Sequence, residues 1–85
     1  MCNYKIGDKV KFKDINWYNE NKNEDDIVII SNNDYYFDVY FNKIDSEKYC
    51  GKTLTITDIS DNLYIFDEMG TGFYYCDEMI ECKVE

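Results

Sequence analysis

An all-β domain, a small barrel or sandwich of five or six short strands, is the fold class this sequence predicts. Three observations carry the prediction. Apolar and polar residues alternate with a period of two in several short runs. Clusters of Asn, Asp, Ser and Gly separate those runs at a spacing of roughly ten residues. No helix-period segment of useful length competes with them. With 85 residues and no internal linker or repeat, residues 1–85 read as one domain.

The elements follow in order. Gly7-Asp8 turns the chain into a first strand, where Val10 and Phe12 face inward between Lys9, Lys11 and Lys13. The lysine row reads as protection of a sheet edge against intermolecular pairing. Trp17 and Tyr18 introduce a run too rich in Asn, Asp and Glu for a stable helix, so residues 14–26 read as a loop or a single helical turn. Ile27 to Ile30 is a short β-branched strand, and Ser31-Asn32-Asn33-Asp34 a turn. Tyr35 to Phe41 is a strand with Tyr35, Phe37, Val39 and Phe41 on one face and Tyr36, Asp38 and Tyr40 on the other. One helical turn is expected near residues 45–50, capped by Asp45 or Ser46 and ended by Gly51 in a left-handed conformation. Leu54 and Ile56 then alternate with threonines. Ser60-Asp61-Asn62 turns into a strand Leu63–Phe66, and Met69 to Gly72 closes a hairpin onto Phe73–Cys76. Asp77-Glu78-Met79 is a tight turn before a last strand, Ile80–Val84.

Three stretches in this order and spacing resemble small SH3-like barrel proteins of low-GC bacteria and their phages. They are Ile6-Gly7-Asp8-Lys9-Val10 with Trp17 to Lys22, then Tyr49-Cys50-Gly51-Lys52-Thr53-Leu54-Thr55-Ile56, then Tyr74 to Glu81. The resemblance spans most of the chain except residues 23–43, and its middle motif is the most specific. It implies an SH3-like barrel and hardly informs the activity, which has to be argued from a site.

Composition narrows the function. The chain holds 9 Lys, 18 Asp plus Glu and no His, for a net charge of -9. Arg and Ala are also absent while Asn, Lys, Ile, Asp and Tyr abound, a bias that fits an AT-rich genome such as that of a phage or a low-GC bacterium. Direct nucleic-acid binding is not expected, because phosphate neutralisation needs clustered cations. Without His, the commonest general base and metal ligand is missing, and no carboxylate pair stands out for acid–base work. No enzyme activity and no cofactor are expected. The four cysteines, Cys2, Cys50, Cys76 and Cys82, include no C-x-x-C pair, so free and mostly buried thiols are expected rather than a metal site. No apolar run is long enough to span a membrane and no secretion leader is visible, so a cytoplasmic protein is expected, in the host cell if phage-encoded.

What remains is contact with another protein. The acidic clusters Glu24-Asp25-Asp26, Asp67-Glu68 and Asp77-Glu78 serve solubility or engage a basic surface. Nine tyrosines, with Trp17, exceed what one small core can hold, so some rings must reach the surface, where aromatics anchor interfaces. The candidate partner-binding residues are Trp17, Tyr18, Glu24, Asp25, Asp26, Tyr36, Tyr40, Tyr74, Asp77 and Glu78. The expected function is a non-catalytic protein-interaction module, phage or mobile-element encoded, monomeric or weakly self-associating. It would mask a host or phage protein, for instance by inhibiting a nucleic-acid-handling or defence protein. The alternatives are a virion or assembly component, and a reader of a small or methylated-ammonium ligand through a tyrosine cage.

Overall fold

A computed structural model describes residues 3–35, 37–67 and 74–84. In chain order these residues form β1 (Lys9–Phe12), α1 (Ile15–Asn21), β2 (Val28–Ile30), β3 (Val39–Phe41), α2 (Lys43–Tyr49), β4 (Thr53–Ser60), β5 (Leu63–Phe66), a 3-10 turn (Asp77–Met79) and β6 (Ile80–Val84). The protein is mostly β: four strands in the order β5-β4-β1-β6, and a separate two-stranded sheet of β2 and β3. Every pairing is antiparallel. Among the described residues these are two separate sheets rather than one closed barrel.

β4 does most to shape the sheet. Its first half pairs with β1, with Leu54 opposite Val10, and its second half with β5, with Ile59 opposite Tyr64. The register shifts between Ile56 and Asp58, an irregularity of the kind that bends a strand and raises its twist. The two halves of β4 thus serve two ladders, one with β1 and one with β5. Asp61 and Asn62 join it to β5 with φ of 51° and 67°, the left-handed pair that a tight two-residue hairpin requires. Asp and Asn tolerate that region better than other non-glycine residues.

β1 lies inside the sheet, between β4 and β6, so its lysines do not guard an edge. They are instead the outward half of an alternation whose inward half, Val10 and Phe12, is fully buried. Lys11 pairs with Glu81 across the ladder at 3.7 Å, and Lys13 lies over the Trp17 ring.

The core is built from rings. Phe12 meets Phe66, Tyr75, Phe41 and Tyr49 at centroid distances of 5.2 to 6.5 Å. Both helices seat rings against it, and both exceed the expectation. Residues 15–21 form seven residues of helix because Asp14 accepts the Trp17 N–H at the N-terminus and because Tyr18 is buried against Phe41. Tertiary packing overrides the weak propensity of Asn there. α2 begins two residues before Asp45, since Asn42 rather than Asp45 or Ser46 is the cap. Asn42 accepts the Asp45 N–H at 2.9 Å and Asp45 accepts the Asn42 N–H at 3.1 Å. Gly51 follows it with φ of 74°, as expected.

The strand expected over residues 35–41 is reduced to Val39–Phe41, with Val39 and Phe41 buried and Tyr40 outward. Phe37, expected inward, is 45% exposed because it precedes the ladder. The hairpin expected at Met69–Gly72 lies outside the described residues.

A candidate partner-binding groove of rings and carboxylates

The short strand β3 creates the most distinctive surface feature. Because Val39 and Phe41 turn inward, Tyr40 stands outward, 57% exposed. Phe37 lies edge-on to Tyr74 at 5.6 Å. Together with Asp38 before β3 and Asp45 on α2, these rings line an open groove of about 530 Å³ floored by Tyr75. A second hollow of about 230 Å³ shares Asn42, Asp45 and Tyr75 and continues past Ile44 and Lys48.

Two carboxylates sit in the groove in different situations. Asp45 is committed: one oxygen accepts the Tyr75 hydroxyl at 3.1 Å and the other the Asn42 N–H. Tyr75 packs its ring on Phe12 and Phe41, and its hydroxyl titrates far above the ordinary range, first because it is buried and then because Asp45 is negative. It remains a neutral donor. Asp38 is exposed and tethered only on one side, accepting the Ser31 hydroxyl at 2.8 Å. No lysine is among the described residues lining the larger groove. The arrangement suits a cation: ring faces attract it through their quadrupole, and the carboxylates through charge.

Asp45 also supports the fold, and its loss is measurable. Asp45→Ala removes half of a capping box and leaves a buried tyrosine hydroxyl without its acceptor. Together these should cost about 2–4 kcal/mol in urea unfolding. Adding Tyr75→Phe should recover part of that loss, because no donor is then left unmet. A double variant as unstable as the sum of the single variants would contradict this coupling.

Of the residues singled out from the sequence, Tyr40 and Tyr74 come together here, and Tyr36 lies outside the described residues. The others are placed elsewhere. Trp17 is partly buried edge-on to Phe41. Tyr18 is buried and donates to the Asp26 carbonyl at 2.6 Å, pinning the loop that carries Glu24 and Asp25. Asp26 has φ of 62° and pairs with Lys22 at 3.1 Å, while Glu24 and Asp25 are exposed. Asp77 accepts the Tyr64 hydroxyl, which in turn accepts the Tyr4 N–H at 3.1 Å. Glu78 accepts the Tyr35 hydroxyl. Burial is the largest single influence on Glu78 and acts upward. Hydrogen bonds from Tyr35, its own backbone, Cys76 and Asn32 together outweigh it and hold the carboxyl below its ordinary value. Asp77 and Glu78 therefore fasten tyrosines to the 3-10 turn.

Phe37, Asp38, Asp45 and Tyr75 complete the groove and were not singled out as site residues. A signal for Asp38 was present, since alternation places it on the same strand face as Tyr36 and Tyr40. Asp45 and Tyr75 arrive through tertiary packing from other elements.

Cys50, Cys76 and Cys82 are free thiols, half-buried, buried and exposed respectively, so only Cys76 is fully buried. Cys2 lies outside the described residues. Burial pushes the Cys76 thiol up to about 12, with the Glu78 charge acting the same way. Burial and then Asp14 raise that of Cys50. Among the described residues, no group of three or more Cys, Asp or Glu is placed to hold a metal ion, and no helix is long and apolar enough to cross a membrane. No family model, curated protein or solved structure matches the chain.

Proposed function

We propose that this chain is a non-catalytic protein-interaction module on an SH3-like scaffold, and that it masks a basic surface of a partner through the groove at Tyr40 and Tyr74. The carrying observation is the groove itself: exposed Phe37 and Tyr40 beside Asp38, on a chain of net charge -9. Large exposed rings next to an exposed carboxylate are unfavourable on a free surface and favourable in an interface with cations. The SH3-like scaffold draws support from β4 bent across two ladders, from the pairing of β1 with β6, and from the 3-10 turn just before β6. In this reading the module is phage or mobile-element encoded, works in the host cytoplasm as a monomer or weak oligomer, and blocks a nucleic-acid-handling or defence protein. The coding bias and the acidity support that setting. The tyrosine-cage alternative would use the same rings, Tyr40 and Tyr74. Trp17, packed on Phe41, would not report on it.

Affinity capture from bacterial lysate at low and at physiological salt tests the proposal. The native chain should retain a discrete partner, more at low salt. A variant carrying Asp38→Asn and Tyr40→Ala, both at exposed positions, should lose it. Capture of nothing above background at either salt, or equal capture by the variant, would count against the proposal.

A further inference from the structure

We infer that the occupant of the groove is an arginine side chain carried on an extended segment of the partner protein. The inference rests on the interaction-module reading and names the chemistry that the site recognises. The described residues lining the larger groove offer two carboxylates, several rings and no cation. Asp45 is already engaged by Tyr75 and Asn42, so Asp38 is the acid left to meet a ligand. Asp38 and Tyr40 sit close along the chain, on the same side of the strand end that enters β3.

An open, half-solvated groove separates arginine from lysine. Lysine's ammonium is compact and strongly hydrated, and gains little where water remains. The guanidinium is planar and more weakly hydrated; it can stack on a tyrosine ring and still donate a pair of hydrogen bonds to a carboxylate. The chain has no arginine of its own, so neither an internal contact nor a second copy can supply this group. An extended backbone fits because consecutive residues 37–40 line the groove and because, among the described residues, β3 has one strand neighbour, β2. A strand paired in this way along one edge can accept an added strand on the other.

The test uses the whole chain and three short blocked peptides, alternating serine with arginine, with lysine, or with neutral citrulline. Binding is followed by amide NMR shifts and calorimetry. The arginine peptide should move resonances of residues 37–42, Tyr74 and Tyr75. The lysine peptide should bind about threefold to tenfold more weakly, and the citrulline peptide not measurably. Asp38→Asn and Tyr40→Ala should each weaken the arginine peptide about fivefold or more, while Tyr40→Phe retains it. The double variant Glu24→Gln with Asp25→Asn should bind as the native chain does. Equal affinity for arginine and lysine, shifts spread over the acidic loops, or equal weakening by the Glu24 and Asp25 changes would overturn the inference, as would no binding. If peptides fail while lysate capture still depends on Asp38 and Tyr40, the interaction module stands without the arginine. If both fail, both readings fall.

Discussion

Phe12→Ala should leave little folded protein at 37 °C. The ring has no exposed surface and sits on β1, the strand flanked by both β4 and β6. It touches Phe66, Tyr75, Phe41 and Tyr49, which come from β5, the segment before the 3-10 turn, β3 and α2. Truncating such a ring costs about 3–5 kcal/mol, since the surrounding aromatics are too rigid to close the cavity fully. A domain of 85 residues has only about 4–13 kcal/mol in total. Thermal unfolding followed by circular dichroism should show a loss of about 15 °C or more, or no cooperative transition. Phe12→Leu keeps most of the volume and should cost less than about 2 kcal/mol, providing a folded comparison. A shift below about 5 °C for the alanine variant would mean that the ring cluster is not the centre of the core.

The second large effect is loss of stability in alkali. Tyr35, Tyr75 and Cys76 all titrate above their ordinary values, principally because they are buried, and each also faces a carboxylate. A raised folded value means that the native state disfavours the ionised form. The stability from the neutral groups is complete below the unfolded values and is lost as pH rises through the folded ones. Cys76 acts first, over the interval from about 9 to about 12. The tyrosines join above about 10, and each group adds up to about 1.4 kcal/mol per pH unit to the slope. Urea midpoints should be flat near neutrality and fall steeply above about pH 10, with a step in tyrosinate absorbance from Tyr35 and Tyr75 accompanying unfolding. Cys76→Ala should delay the onset. Glu78 has the opposite sign: its depressed value contributes stability above about 4.3, lost as pH falls toward the folded value. Ionisation of Tyr35 and Tyr75 while the protein stays folded would contradict the alkaline limb.

The sequence shows the parts of this fold where local rules and burial agree. Val10, Phe12, Leu54 and Ile56 alternate and are buried as read. Asp61-Asn62 and Gly51 take the left-handed geometry their residue types favour. Reading fails where a distant partner decides. Helix α1 depends on Phe41 accepting Tyr18, some twenty positions away, against the local preference of Asn for loops. Phe37 and Val39 share one alternation, yet Val39 pairs with Ile30 of β2 whereas Phe37 lies before β3. The groove shows the same division. Tyr40 and Tyr74 belong to the visible surplus of tyrosine, whereas Tyr75 and Asp45 become neighbours only when α2 packs beside the chain that follows β5. Tyr18, Tyr64 and Tyr75 answer the question of surplus rings in an unexpected way. All three are buried, each with its hydroxyl held by a carbonyl or a carboxylate.

The pairing of β1 with β6 sets Lys9 opposite Val84, so the central strand receives one of its two neighbours from residues made last among those described. During synthesis, the β4–β5 hairpin can close while the ribosome is still adding residues, because its partners are a few positions apart. β1 must wait until residues 80–84 have left the exit tunnel. A ribosome stalled before that point holds a chain with β1 unpaired along one side and Met79 and Ile80 not yet placed. Limited proteolysis of stalled chains, extended by a flexible linker of increasing length, should show protection appearing abruptly once residues 80–84 have emerged, rather than residue by residue.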